Sequence, residues 1–202
     1  MNIDVLFNDE SHPAYKYFFG WCLDNKAFIF NDKSELKGGD ILFLISCTQI
    51  LKKERDLYKQ VFVIHESDVP NGRGWSPLAW QILEGKNEII ISLMEAGDSV
   101  DSGDVFSKET LFLDGTELND EIHQKCAAVK IELMKKAVSH EINRVKQEGY
   151  ASYYPRRTPE DSRLSITDSL ESQFDLLRIC DPRFPAFFEH RGCKYEVSIR
   201  KA

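Results

Sequence analysis

Short apolar blocks separated by polar turn formers organise the first half of the chain. Ile3 to Phe7 forms a brief apolar run, and Asn8-Asp9-Glu10-Ser11 behind it is rich in turn and cap formers. From His12 to Leu23, Tyr15, Phe18, Phe19 and Cys22 recur at helical spacing, which predicts a helix. A short strand is expected at Ala27 to Phe30. Gly38-Gly39 breaks the chain ahead of Ile41-Leu42-Phe43-Leu44-Ile45, and Val61-Phe62-Val63-Ile64 is a second continuous apolar run. Runs of this kind fit strands covered on both faces. Separated by helical segments, they predict a parallel sheet in an α/β layer fold.

Ser76-Pro77 offers a helix start, and Gly85 an end, for a short helix over Ser76 to Leu83. Glu88 to Met94 and Val105 to Leu113 read as neighbouring strands. Leu118, Ile122, Ala128, Ile131, Met134, Val138, Ile142 and Val145 trace an apolar stripe that predicts one long helix from Glu117 to Gln147. Beyond Gly149 the character changes. Tyr150 to Asp161 is an aromatic, arginine-bearing loop, a helix is expected over Thr167 to Cys180, and Ala186 to Ile199 reads as a hairpin turning near Arg191-Gly192. The predicted organisation is a core over 1–149 and an extension over 150–202, too small to hold a core of its own.

Composition narrows the function classes. Hydrophobic residues make up 42% of the 202 positions and charged residues 29%, an ordinary globular profile. No apolar run reaches membrane-spanning length. The amino terminus reads as a strand rather than a signal peptide, so a cytoplasmic protein is expected. A net charge of −7 argues against general affinity for nucleic acid or anionic membranes. The 5 cysteines show no CxxC pair or zinc spacing, as in a reduced cytoplasmic protein; Cys47, just past an apolar strand, is expected to pack there, with lining a site as the alternative.

The stretch His65-Glu66-Ser67-Asp68-Val69-Pro70-Asn71-Gly72-Arg73-Gly74-Trp75-Ser76-Pro77 carries the chemistry. It sets a histidine just past the carboxyl end of a buried strand, where open α/β sheets hold their ligands. A histidine there suits acid/base work, and a hydrogen-bonded structural role is the competing reading. Downstream, Asp98, Asp101 and Asp104 lie close together in Gly97-Asp98-Ser99-Val100-Asp101-Ser102-Gly103-Asp104. The spacing lacks the rest of a calcium loop, so no metal is expected.

The pattern His-x-Ser-x-x-Pro, then Arg-Gly, Pro-x-x-Trp and a final glycine, resembles the signature of the folate-dependent formyltransferases. That family includes the methionyl-tRNA, glycinamide ribonucleotide and sugar N-formyltransferases. Asp101-Ser102-Gly103-Asp104 resembles the family's second motif, in the family's order. The resemblance implies a Rossmann-like, mostly parallel sheet flanked by helices, with a small helix-plus-hairpin extension. It also implies 10-formyltetrahydrofolate as co-substrate and His65 and Asp101 as the catalytic pair. Gln49, Ile50, Leu51 and Val100 match the folate-binding segments, the aliphatic pair covering a flat pterin. Lys52, Lys53 and Arg55 either meet the folate tail or form an exposed turn.

Tyr154-Pro155-Arg156-Arg157-Thr158-Pro159 and Phe184-Pro185-Ala186-Phe187 resemble segments of sugar N-formyltransferases, above all a compact subgroup of pseudaminic-type pathways. This implies a nucleotide-linked amino sugar as acceptor, with Tyr154, Arg156 and Arg157 contacting it. A packed polar linker, or a role of the extension in homodimerisation, is the alternative. One departure stands out. The family has asparagine two positions before its histidine, and here that position is Val63, which has no donor for a formyl oxygen. Gln49, Asn71 and Asn8 are candidates to replace it. Formylation of another amine, or binding without catalysis, are the competing functions.

Overall fold

The computed structural model describes residues 1–202. Ten strands and four α-helices follow one another as β1 (Ile3–Leu6), α1 (Tyr15–Asn25), β2 (Phe28–Phe30), β3 (Gly39–Ile45), β4 (Tyr58–His65), β5 (Arg73–Gly74), α2 (Pro77–Leu83), β6 (Glu88–Glu95), β7 (Val105–Phe112), α3 (Asn119–Val138), β8 (Tyr153–Tyr154), α4 (Phe174–Ile179), β9 (Ala186–His190) and β10 (Cys193–Val197). The main sheet has 6 strands in the order β2-β1-β3-β4-β6-β7. β2, β1, β3 and β4 pair in parallel, and β6 runs antiparallel to both of its neighbours. The sheet is thus mixed with mostly parallel strands, a Rossmann-like arrangement.

Strand alternation sorts the core. Ile41, Phe43, Ile45, Phe62 and Ile64 face one way, into a cluster of 26 buried residues shared with α1, α2 and α3. Leu42, Leu44 and Val61 face the other way and meet Leu36, Leu51 and Tyr58 in a cluster of 7. His65 ends β4 on the same side as Val61 and Val63. Glu66, one residue further, turns towards the helical layer and reaches Lys130 of α3. This division places a polar site on one side of the strand end and a buried charge cluster on the other.

Two elements differ from the periodicity. The long helix ends at Val138, with His140 in a left-handed conformation (φ 60°) just beyond it. The chain then extends beside β7, and Val145 exchanges backbone hydrogen bonds of 2.7 and 2.8 Å with Val105. Apolar spacing at Ile142 and Val145 mimics a helical stripe, but a sheet edge uses it instead. The helix expected over Thr167 to Cys180 forms only from Phe174 to Ile179. Ahead of it, Ser165, Ser169, Ser172 and Gln173 side chains bond the local backbone, a competitor to helix hydrogen bonding.

The 150–202 segment packs on the rest through several ties. β8 pairs with β5, Arg178 donates to the Asn87 side-chain oxygen, and Arg183 bridges Asp181 to Asp9, while Leu164, Leu177 and Ala186 form a small cluster within the segment itself. Arg191 and Gly192 both have positive φ (50° and 78°), so the β9–β10 hairpin closes on two left-handed residues. No helix is long and apolar enough to cross a membrane.

Candidate active site

His65 and Asp101 lie side by side at the carboxyl end of β4. The imidazole Nδ1 is 3.6 Å from Asp101 Oδ2, and both side chains are largely buried. On its other edge, Nε2 is 2.9 Å from the carbonyl oxygen of Gly72. A carbonyl only accepts, so Nε2 carries a hydrogen and the neutral ring is the Nε2–H tautomer. Nδ1 is then the nitrogen free to exchange a proton, and it faces the Asp101 carboxylate.

Asp101 is held by its loop. It has φ 51°, a conformation that non-glycine residues rarely adopt, and its Oδ2 accepts the Gly74 N–H at 2.9 Å. Two glycines make this approach feasible. A Cβ on Gly103 would lie 1.9 Å from the Glu95 carbonyl oxygen, and one on Gly74, which has φ +99°, would lie 2.6 Å from the Tyr154 carbonyl. Asp98 and Asp104 do not join Asp101. They pair with Arg55 and Arg144 respectively, and no group of His, Cys, Asp and Glu converges as metal ligands would.

Ile50 and Val100 are 64% and 48% exposed, Val100 next to Asp101 in the chain, whereas Leu51 is buried in the smaller cluster. Gln49 is turned away. Its Oε1 accepts from Lys33 N and its Nε2 donates to Asp32, so it braces the 46–51 loop. Arg55 spans to the Ala96 carbonyl and the Asp98 carboxylate and ties its own segment to the loop that carries Val100. Val63 lies between Leu44 and Met94 among Val69 and Val105, an apolar setting without a donor. Of the polar candidates to replace asparagine there, Asn8 bonds Thr48 and Asn31, and only the exposed Asn71 keeps an unengaged amide.

Beside the pair lies an aromatic and cationic strip. The Arg156 guanidinium sits 5.0 Å over Trp75, and Arg73 sits 6.0 Å over Tyr153. Trp80 stacks on Tyr154 and donates to the Pro155 carbonyl at 2.8 Å. Tyr154 gives its hydroxyl to Glu84, and Arg157 donates to the Asp161 carbonyl and Ser162 Oγ. Those two therefore brace the segment, while Arg156 projects outward. Trp75, Arg73 and Tyr153 are not among the candidate site residues read from the sequence. The Arg-Gly-Trp run was the available signal, and the short β5–β8 ladder is what gives it a face.

On the helical side of the strand end, Glu66 and Lys130 form a buried ion pair beside His12 and His123, whose rings meet edge to face at 4.9 Å. Burial, and after it repulsion from His123 and Lys130, pushes His12 down to about 3. Burial and Lys130 push His123 down to about 4. Burial alone would raise the Glu66 carboxyl, but the Lys130 ammonium and His65 bring it down to about 2. Unfolded histidines bind protons from about pH 6.5, so below that the unfolded state takes up more protons and stability falls. Glu66 adds the same sign between its unfolded value near 4.5 and about 2. Thermal midpoints should therefore drop from pH 7 to pH 5, and H123Q should flatten the fall. A level profile over that range would refute this cause.

No protein-family profile matches the chain. It is 28% identical over 137 residues to the methionyl-tRNA formyltransferase of Orientia tsutsugamushi, covering 66% of this chain and 45% of that protein. The structure of a methionyl-tRNA formyltransferase from Clostridium thermocellum superposes with TM-score 0.85 at 25% identity, covering 100% of this chain and 93% of the other. In sequence and in fold the chain is similar to the formyltransferases. Two further solved structures share the fold. A sugar N-formyltransferase from Shewanella gives TM-score 0.70 at 15% identity, covering 98% and 97% of the two chains. HypX from Aquifex aeolicus in complex with tetrahydrofolic acid gives 0.76 at 16%, covering 98% of this chain and 37% of that one. The chain spans less than half the length of the curated formyltransferases it matches.

Proposed function

We propose that this chain moves a formyl group from 10-formyltetrahydrofolate to the amine of a nucleotide-linked amino sugar, of the kind used in pseudaminic-type pathways. The observation that carries the reading is Nδ1 of His65 facing Asp101, with the exposed Val100 next to Asp101 in the chain. The tetrahydrofolate-bound neighbour of the same fold supports the donor. We assign catalysis to a core over 1–149 and acceptor contact to the 150–202 extension. The 5 free thiols suit a reducing compartment.

The chemistry balances on this pair. The neutral acceptor amine attacks the formyl carbon, and the carbonyl electrons move to oxygen to give a tetrahedral oxyanion. Nδ1 of His65 takes the amine proton, and Asp101 holds the resulting imidazolium. The same proton passes to the folate nitrogen as its bond to carbon breaks, and the carbonyl reforms on the product amide. With valine at 63, the protonated His65 edge and the Asn71 amide are the groups we assign to the oxyanion.

Acceptor recognition falls to Arg156 over Trp75. A guanidinium suits a diphosphate, and an indole suits a stacked base. R156A should raise the apparent KM for the nucleotide sugar about tenfold or more, the loss expected for a charge-assisted contact, and leave the folate KM unchanged. R157A should mainly lower the melting temperature. An unchanged acceptor KM in R156A would remove this assignment. Turnover of 10-formyltetrahydrofolate against nucleotide amino sugars, aminoacyl-tRNA and small amines tests the function itself. Preference for another amine would replace the acceptor, and binding without turnover would replace the enzyme.

A further inference from the structure

We infer that Gln147 is a positioning residue, with Arg73 as its anchor, that sets the Asp101 carboxylate against His65. This rests on the formyl-transfer reading for its kinetic consequence, but not for its geometry. Gln147 follows the end of α3 by several residues and is half-buried. Its Nε2 donates to the Asp101 carbonyl at 2.9 Å and to the Gly103 carbonyl at 2.6 Å. Its Oε1 accepts from Arg73 at 2.6 Å (Nη2) and 3.3 Å (Nε).

The orientation of this amide is determined by its partners. A guanidinium has only donors, so Oε1 must face Arg73 and the NH₂ group must face the two carbonyls. Arg73 is fixed in turn, since Nη1 lies 3.3 Å from the Tyr153 hydroxyl and the guanidinium stands over that ring. The chain of contacts therefore runs Tyr153, Arg73, Gln147, then both ends of the Asp101–Gly103 turn.

That turn needs such a clamp. Asp101 sits at φ 51°, a left-handed conformation that persists only where surrounding contacts over-determine it. The Gly74 N–H holds the carboxylate, but it holds one oxygen only. The backbone carbonyls of the turn are otherwise held by Gln147. Arg73 and Gly74 are adjacent in β5, so one two-residue strand feeds both holds. Tyr153 also belongs to the segment assigned to the acceptor, which connects acceptor contact to the orientation of the carboxylate.

The test uses the full chain with Gln147→Glu, Gln147→Ala and each combined with Asp101→Asn. Glu keeps the acceptor for Arg73 and the side-chain volume but loses both donors, so a space-filling or Arg73-binding role would survive it. Exchange of the Gly74 amide, followed by NMR, should quicken about tenfold in both single variants as the turn loosens. kcat should fall about tenfold or more, as misplacement of a reacting group costs, while both KM values stay within about twofold. Adding either substitution to Asp101→Asn should lower kcat no further, because the effect passes through that carboxylate. Wild-type kcat and Gly74 exchange in Gln147→Glu would overturn the inference. So would an equal loss of kcat in the Asp101→Asn background. If the wild-type chain transfers no formyl group, the functional reading fails, and the Gly74 exchange alone decides the positioning role.

Discussion

Asp101→Asn is expected to lower turnover at least about a hundredfold, near 2.7 kcal/mol in the barrier, while the protein stays folded. Asparagine is isosteric, and its side-chain oxygen can still accept the Gly74 N–H that the carboxylate accepts at 2.9 Å. What it removes is the negative charge facing Nδ1 of His65 at 3.6 Å. Because Nε2–H is committed to the Gly72 carbonyl, Nδ1 is the only ring position at which an amine proton can arrive. An imidazolium formed there without a carboxylate beside it lacks its counter-charge, and the proton has one resting place fewer on the way to the folate nitrogen. His65→Ala should cost at least as much. The double variant should be little worse than either single one, as expected of residues that act as a unit. Single-turnover rates with 10-formyltetrahydrofolate and the preferred amine measure this. A folded Asp101→Asn protein within about threefold of wild type would dismiss the pair as the proton-handling machinery.

The sequence carried the sheet well because its central strands are continuous apolar runs, as strands covered on both faces are. Ile41 to Ile45 and Val61 to Ile64 read directly as buried strands, and both are. It also put His65 at a strand end and Asp101 in a downstream glycine-bearing loop, since motif order and strand order coincide. What it could not carry were features that depend on which surfaces meet. Val145 has the right spacing for a helix, yet it pairs with Val105, and only the folded position of β7 decides between the two. Lys130 reads as one polar position in a charged helix, but it lies on the buried face because Glu66 is there to meet it. Gln147 and Gly72 act through a side-chain amide and a backbone carbonyl, neither of which leaves a pattern in the chain. Gln49 and Arg157 are residue types that suit a ligand, and in the folded chain their hydrogen bonds are made within the protein, which the sequence alone does not show.

Lys130→Met should be the most destabilising of the conservative substitutions in this region. The Lys130 side chain is 3% exposed and that of Glu66 16%, so water can replace little of the lost interaction. Removing one partner of a buried pair leaves an uncompensated charge and commonly costs about 3–5 kcal/mol. At roughly 2–4 °C per kcal/mol for a chain of this size, the melting temperature should fall by about 10 °C at pH 7. Glu66→Gln added to Lys130→Met should recover much of that loss, because the orphaned charge is gone. The pH dependence gives a second signature with a definite sign. In the wild type, Lys130 holds the Glu66 carboxyl well below its unfolded value, so acid weakens the fold through this group. Without Lys130, burial is left to act and drives the carboxyl upward, so the folded state takes up a proton more readily than the unfolded one. The deficit of Lys130→Met relative to wild type should therefore shrink as pH is lowered from 7 towards 5. The histidines push the same way, since Lys130 is one of the charges that depress them. Melting curves of the two proteins across that range are the measurement. A deficit that stays constant or widens in acid would mean that Lys130 stabilises the fold by packing its methylene stem and not by its charge.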